Sequence, residues 1–76
     1  MKTFNIILNS INDVKNFVNI VNTCDFDVDL ESGKYLVDAK SIMGIFSLDL
    51  SKPIKMHVYT ENVKEFEKKI ESFIEE

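Results

Sequence analysis

The sequence predicts an α+β fold in which a four-stranded antiparallel sheet carries three helices on one face. Four short segments alternate apolar and polar residues, and two longer segments repeat apolar residues at helical spacing. Their order along the chain is strand, helix, strand, strand, helix, strand, helix. Because only one face of each strand is apolar, one side of the sheet is expected to cover a core and the other to meet solvent.

The first strand is predicted from the alternating apolar residues Phe4, Ile6 and Leu8. Ser10, with Asp13 three residues later, resembles a capping box with a shortened acid. A helix from about Ile11 to Asn22 follows, because apolar residues recur there at helical spacing. That stripe consists of Ile11, Val14, Phe17, Val18 and Val21.

A hairpin and a short helix are predicted next. The second strand has an apolar face of Phe26, Val28 and Leu30 and an acidic face of Asp27, Asp29 and Glu31. Ser32-Gly33 is predicted to form the turn, and Tyr35, Val37 and Ala39 continue as the third strand. Lys40-Ser41 is expected to open a short helix that ends near Ser47.

Pro53 suits the entrance of a fourth strand, since proline cannot donate a ladder hydrogen bond. Ile54, Met56 and Val58 alternate after it. Asn62 and Glu65 form a second candidate capping box, and the final helix is predicted to run to the C-terminus. The expected core is Phe4, Ile6, Val14, Phe17, Val18, Leu30, Val37, Met56, Val58, Phe66, Ile70 and Phe73.

Size and composition indicate one domain over residues 1–76 and exclude several classes of function. A formal charge of −4 with scattered lysines argues against nucleic-acid binding. The N-terminal segment is too short and too polar for a signal peptide or a membrane span. One cysteine cannot form an internal disulfide, and no metal-ligand spacing is present, so no metal and no cofactor are expected. A cytoplasmic protein is the simplest interpretation.

The segment from Lys40 to Gly44, together with Ser47-Leu48, resembles the regulatory-serine region of HPr, the phosphocarrier of the bacterial sugar phosphotransferase system. From Val14 to Tyr59 the chain aligns with that family without a gap. The resemblance implies an HPr-like open-faced β-sandwich with strand order one, four, two, three. It also implies partner proteins, namely other phosphotransferase components, a serine kinase or a catabolite-control regulator.

The same alignment indicates a degenerate phosphohistidine site. Ser10 stands at the position of the family's active histidine, Asn12 at its arginine and Asp13 at its proline. A serine ester is too stable to relay a phosphoryl group, and Asp13 would repel one. The only histidine, His57, is predicted on the solvent face of the fourth strand, as a cross-strand charge partner of the acidic row. No catalytic residue is therefore expected, and the protein is predicted not to be an enzyme.

Ser41 has two compatible interpretations: a helix cap, and a regulatory phosphorylation site, as the resemblance implies. Ile42, Met43 and Phe46 are predicted to form a partner-binding surface, again by resemblance. Residues of this helix could also simply fill the core, Ile45 first, with Met43 and Phe46 left partly exposed. Cys24 is expected to be a small buried residue, with a reactive thiol as the alternative.

Three functions remain open from the sequence. The first is a non-catalytic regulatory or adaptor protein of the phosphotransferase system, similar to the catabolite-repression homologues of HPr that lack the active histidine. The second is a phosphocarrier with an atypical phosphoryl acceptor. The third is an unrelated protein-binding module on the same fold.

Overall fold

The computed structural model describes residues 2–75. Its elements are β1 (Lys2–Ile6), α1 (Ile11–Asn22), β2 (Val28–Ser32), β3 (Tyr35–Asp38), α2 (Ile42–Phe46), β4 (Ile54–Val58) and α3 (Val63–Ile70), followed by a 3₁₀ turn (Glu71–Phe73). All strand pairs are antiparallel, in the order β1-β4-β2-β3. The predicted α+β fold and strand order are confirmed.

The core lies between the sheet and the helices, and no polar or charged residue is buried within residues 2–75. Every predicted core residue is buried except Phe4 and Val37, which are half-buried and pack against the core. The acidic face of β2 lies on the opposite side of the sheet, as predicted. Buried residues that complete the core are Leu8, Val21, Val28, Ala39, Ile45, Leu48 and Ile54.

The bounds of α1 match the prediction because its cap forms as expected. The strands are shorter than predicted: β1 ends at Ile6, β2 begins at Val28 and β3 ends at Asp38. The hairpin turn also differs by one residue. Ser32 pairs with Tyr35, so Gly33 and Lys34 form the turn, and Gly33 takes a φ of +60°, where a side chain would be strained.

The predicted C-terminal helix is wrong beyond Ile70. The chain tightens into the 3₁₀ turn and then extends, so that Ile74 bridges to Ile6 along the outer edge of β1. The Ile7 N–H donates to the Phe73 carbonyl at 2.7 Å, and the Glu75 N–H donates to the Asn5 carbonyl at 2.8 Å. These hydrogen bonds to β1 favour extension over another helical turn.

The second capping box is also wrong. The Asn62 side chain makes no cap hydrogen bond, and its backbone lies at φ −99° and ψ 66° rather than in the extended conformation of a typical cap. Its N–H instead donates to Thr60 Oγ1 at 3.3 Å. The start of α3 is therefore set by the preceding loop and by burial of Phe66 and Ile70.

Candidate functional site

The start of α1 is closed by the chain's own side chains. Ser10 is extended, and its Oγ accepts the Asp13 N–H at 3.1 Å. The Asp13 carboxylate turns back to accept the Asn9 N–H at 3.0 Å, one residue earlier than in a capping box. Ser10 and Asn12 are both exposed. A carboxylate and a hydroxyl therefore already accept two of the backbone N–H groups at this helix start, and the carboxylate adds negative charge where a helix start would otherwise attract an anion.

The start of α2 is organised by Asp38 and Ser41. The Asp38 side chain accepts the Lys40 N–H at 2.9 Å, and its carbonyl accepts the Ser41 N–H at 3.0 Å. Ser41 Oγ accepts the Gly44 N–H at 3.2 Å, so the predicted cap is present. A Cβ on Gly44 would lie 3.2 Å from Ser41 Oγ and 3.3 Å from Val37 Cβ. Glycine therefore permits α2 to pack closely on β3 while Ser41 stays exposed.

The apolar residues of α2 divide into buried and exposed ones. Ile45 is fully buried, and Ile42 is half-buried against the core. Met43 is 76% exposed and Phe46 is 39% exposed. Burial of the first pair anchors the helix, whereas the second pair leaves apolar surface next to Ser41.

Ile11, the first residue of the apolar stripe of α1, was not part of the expected core and is exposed. The structure leaves it 63% exposed at the first helical position, while the other four residues of the stripe are buried. Periodicity could not reveal this, because Ile11 keeps the correct spacing to Val14. The later turns of α1 cover the core, whereas its first residue lies past the edge of the core.

His57 lies on the open face of the sheet, in contact with the acidic row of the neighbouring strand. Its Nε2 is 2.8 Å from Glu31 Oε1, and its Nδ1 is 3.2 Å from Thr3 Oγ1. The pKa of the nearby Tyr59 phenol is raised above its ordinary value. The larger cause is loss of hydration, and the second is the negative charge of the Asp29 carboxylate. Asp29 and Glu31 make this part of the face acidic, and His57 lies within β4 rather than at a helix start.

Cys24 is half-buried rather than buried, and its Sγ–H donates to the Ile20 carbonyl at 3.6 Å. Within residues 2–75 no group of three or more His, Cys, Asp or Glu side chains could hold a metal ion. No helix in that range is long and apolar enough to cross a membrane. The surface near Ser41 thus remains the strongest candidate site.

Comparisons with known proteins agree with this fold. Residues 13–76 match the family model described as the PTS HPr component phosphorylation site. A crystal structure of HPr-C-His from Thermoanaerobacter tengcongensis superposes with a TM-score of 0.78 at 25% identity, covering 95% of this chain and 89% of that one. Comparison with curated protein sequences finds no match. The family match extends over most of the sequence, and on this basis the chain belongs to the HPr family.

Proposed function

We propose that this protein is a non-catalytic, cytoplasmic regulatory or adaptor protein of the sugar phosphotransferase system, controlled by phosphorylation of Ser41. Membership of the HPr family supports a phosphocarrier-like protein related to that system rather than a catalytic enzyme. It also implies contacts with other phosphotransferase proteins. The finer assignment depends on the start of α1 and on the surface around Ser41.

The observation that carries the non-catalytic role is the hydrogen-bonded Asp13 carboxylate at the start of α1. Phosphohistidine transfer needs an imidazole nitrogen there, with donors and positive potential around the phosphoryl group. Ser10 offers a hydroxyl, Asn12 carries no charge, and Asp13 contributes a negative charge instead. The family match begins at Asp13, after both of the other residues.

The histidine that the chain does possess does not replace the missing nucleophile. His57 lies within β4, and its two ring nitrogens already contact Glu31 and Thr3. A phosphoryl group on Nε2 would displace the Glu31 contact and meet the acidic row of β2. This environment supports a structural charge pair rather than a phosphoryl relay.

The regulatory role is supported by the surroundings of Ser41. Ser41 is exposed, and among residues 2–75 its hydroxyl accepts one hydrogen bond, from the Gly44 N–H. A kinase would transfer the γ-phosphoryl group of ATP to Oγ, breaking the bond to the β-phosphate oxygen and releasing ADP and the hydroxyl proton. The product would carry roughly −1.5 to −2 additional charges beside Met43.

The partner surface comprises Ile42, Met43 and Phe46. Exposed methionine is flexible and polarizable, which suits contact with more than one protein. The expected partners are proteins: phosphotransferase components, the HPr serine kinase or a catabolite-control regulator. A charged phosphate at the border of this apolar surface would alter partner binding while leaving the fold intact.

Incubation with HPr serine kinase and ATP tests the proposal. We expect one phosphoryl group on Ser41 by intact mass and peptide mapping. Ser41→Ala should abolish it and cost about 1 kcal/mol of stability, the typical value of a lost cap. Ser47→Ala is the matched control, because this exposed serine lies at the other end of α2 and should leave phosphorylation unchanged.

The regulatory proposal is contradicted if the kinase modifies an ordinary HPr in the same reaction and leaves this protein unmodified. Equal loss of the adduct in both serine variants would contradict the assignment to Ser41. Urea denaturation of each variant separates a loss of phosphorylation from a loss of folding.

A further inference from the structure

A cleft of about 700 Å³ opens at one end of the sheet. Three residues paired across the sheet contribute to its lining: Asn5 lies opposite Lys55 in β1 and β4, and Lys55 lies opposite Glu31 in β2. The β2–β3 turn contributes Lys34, and the loop between α2 and β4 contributes Lys52. This volume lies within the range of small-molecule binding sites in proteins.

The lining of the cleft is positive in an otherwise acidic protein. It contains three lysines, Lys34, Lys52 and Lys55, and two carboxylates, Glu31 and Asp49. Their formal charges sum to +1, whereas the whole chain carries −4. The lysines come from a turn, a loop and a strand, so their convergence depends on the fold rather than on a run of basic sequence.

Both carboxylates of the cleft already have partners. Glu31 contacts His57 at 2.8 Å. Asp49 Oδ1 accepts the Ser51 hydroxyl at 2.5 Å and the Ser51 N–H at 3.1 Å. These hydrogen bonds hold the pKa of the Asp49 carboxyl below its ordinary value, so it stays ionised within the loop.

The three lysines, in contrast, make no ion pair with any residue in the range 2–75. The ion pairs found there join Lys2 to Glu67 and His57 to Glu31. Three ammonium groups around one concave surface therefore remain available for an external anion. They attract a multiply charged ligand more strongly than a singly charged one, because each lysine adds a favourable Coulomb interaction.

We propose that this cleft binds a small molecule that carries two phosphate groups. Two phosphates bear roughly −3 to −4 charges near neutral pH, and they offer enough oxygen acceptors to contact all three lysines of the net positive lining. The hydroxyls of Ser32 and Ser47 can donate further hydrogen bonds. The Tyr35 side chain, 66% exposed, can cover the uncharged part of the ligand.

This site is separate from the surface proposed above for regulation. None of Ser41, Ile42, Met43 and Phe46 lines the cleft. The two sites lie at opposite ends of α2, since Ser41 caps its start and Ser47, at its end, lines the cleft. Failure of one proposal therefore leaves the other standing.

Titration with pyrophosphate, followed by backbone amide shifts in NMR, tests the proposal with the intact chain. We expect saturable shifts confined to Asn5 and to residues 31–35 and 47–55, all within or next to the cleft. The affinity should be about tenfold higher than for inorganic phosphate at equal ionic strength. The double substitution Lys52→Gln and Lys55→Gln should weaken pyrophosphate binding about tenfold. The same spectra report whether the variant remains folded.

Lys64→Gln with Lys68→Gln is the matched control, because both lysines are exposed on α3 and neither lines the cleft. This variant should bind pyrophosphate as the unmodified protein does. Absence of saturable binding would overturn the proposal. Equal weakening in the two double variants would also overturn it, since it would indicate attraction by overall charge alone.

Discussion

Replacing Phe17 with alanine is expected to lower the free energy of unfolding by about 3–5 kcal/mol. The Phe17 side chain is fully buried at the centre of the α1 stripe. Its ring meets the Phe73 ring edge to face, with centroids 5.8 Å apart and an interplanar angle of 86°. The substitution would therefore leave a cavity and remove the contact that holds the 3₁₀ turn against α1.

Urea denaturation followed by circular dichroism measures this loss. Ile11→Ala is the matched control in the same helix, because Ile11 is 63% exposed; it should change stability by less than about 0.5 kcal/mol. Domains of this size are marginally stable, so Phe17→Ala is expected to be largely unfolded at physiological temperature. Similar losses for both variants would contradict the packing described here.

Met43→Glu is expected to weaken binding to the HPr serine kinase by at least about tenfold, without unfolding the protein. Met43 is 76% exposed, so a polar side chain there costs the free protein little. In the proposed complex the glutamate would lose its hydration against an apolar partner surface. Calorimetric titration of the kinase with each variant measures the change.

Leu36→Glu is the matched control for Met43→Glu. Leu36 is 61% exposed on β3 and undergoes the same change in chemistry and charge. It lies in the edge strand, outside the partner surface of Ile42, Met43 and Phe46. Equal effects of the two substitutions would show that overall charge, rather than the surface next to Ser41, governs binding.

The start of α1 and the presence of the four strands follow from local sequence signals. Ser10 and Asp13 set the start of α1, and period-two patterns identify all four strands, because these signals act over a few residues. The end of α3 could not be predicted in this way. Its apolar residues continue at helical spacing, but the tail extends because the edge of β1 offers hydrogen-bond partners that are remote in sequence.

The two candidate sites also differ in how far they depend on contacts between residues that are remote in sequence. The cap that Ser41 forms lies within four residues, so the sequence suffices to predict that cap. The lysine cleft depends on the register that pairs Lys55 with both Asn5 and Glu31, and on where the loop after α2 lies. No local pattern carries that information. The exposure of Ile11 also depends on distant contacts, since burial at a helix end is set by what packs beyond it.

The most direct test of the non-catalytic role is incubation with enzyme I and phosphoenolpyruvate, followed by intact mass at neutral and acidic pH. An HPr that carries the active histidine serves as the positive control in the same reaction. We predict that the control gains an acid-labile phosphoryl group and that this protein gains none. An acid-labile phosphoryl adduct on His57, formed as fast as that of the control, would contradict the proposed function.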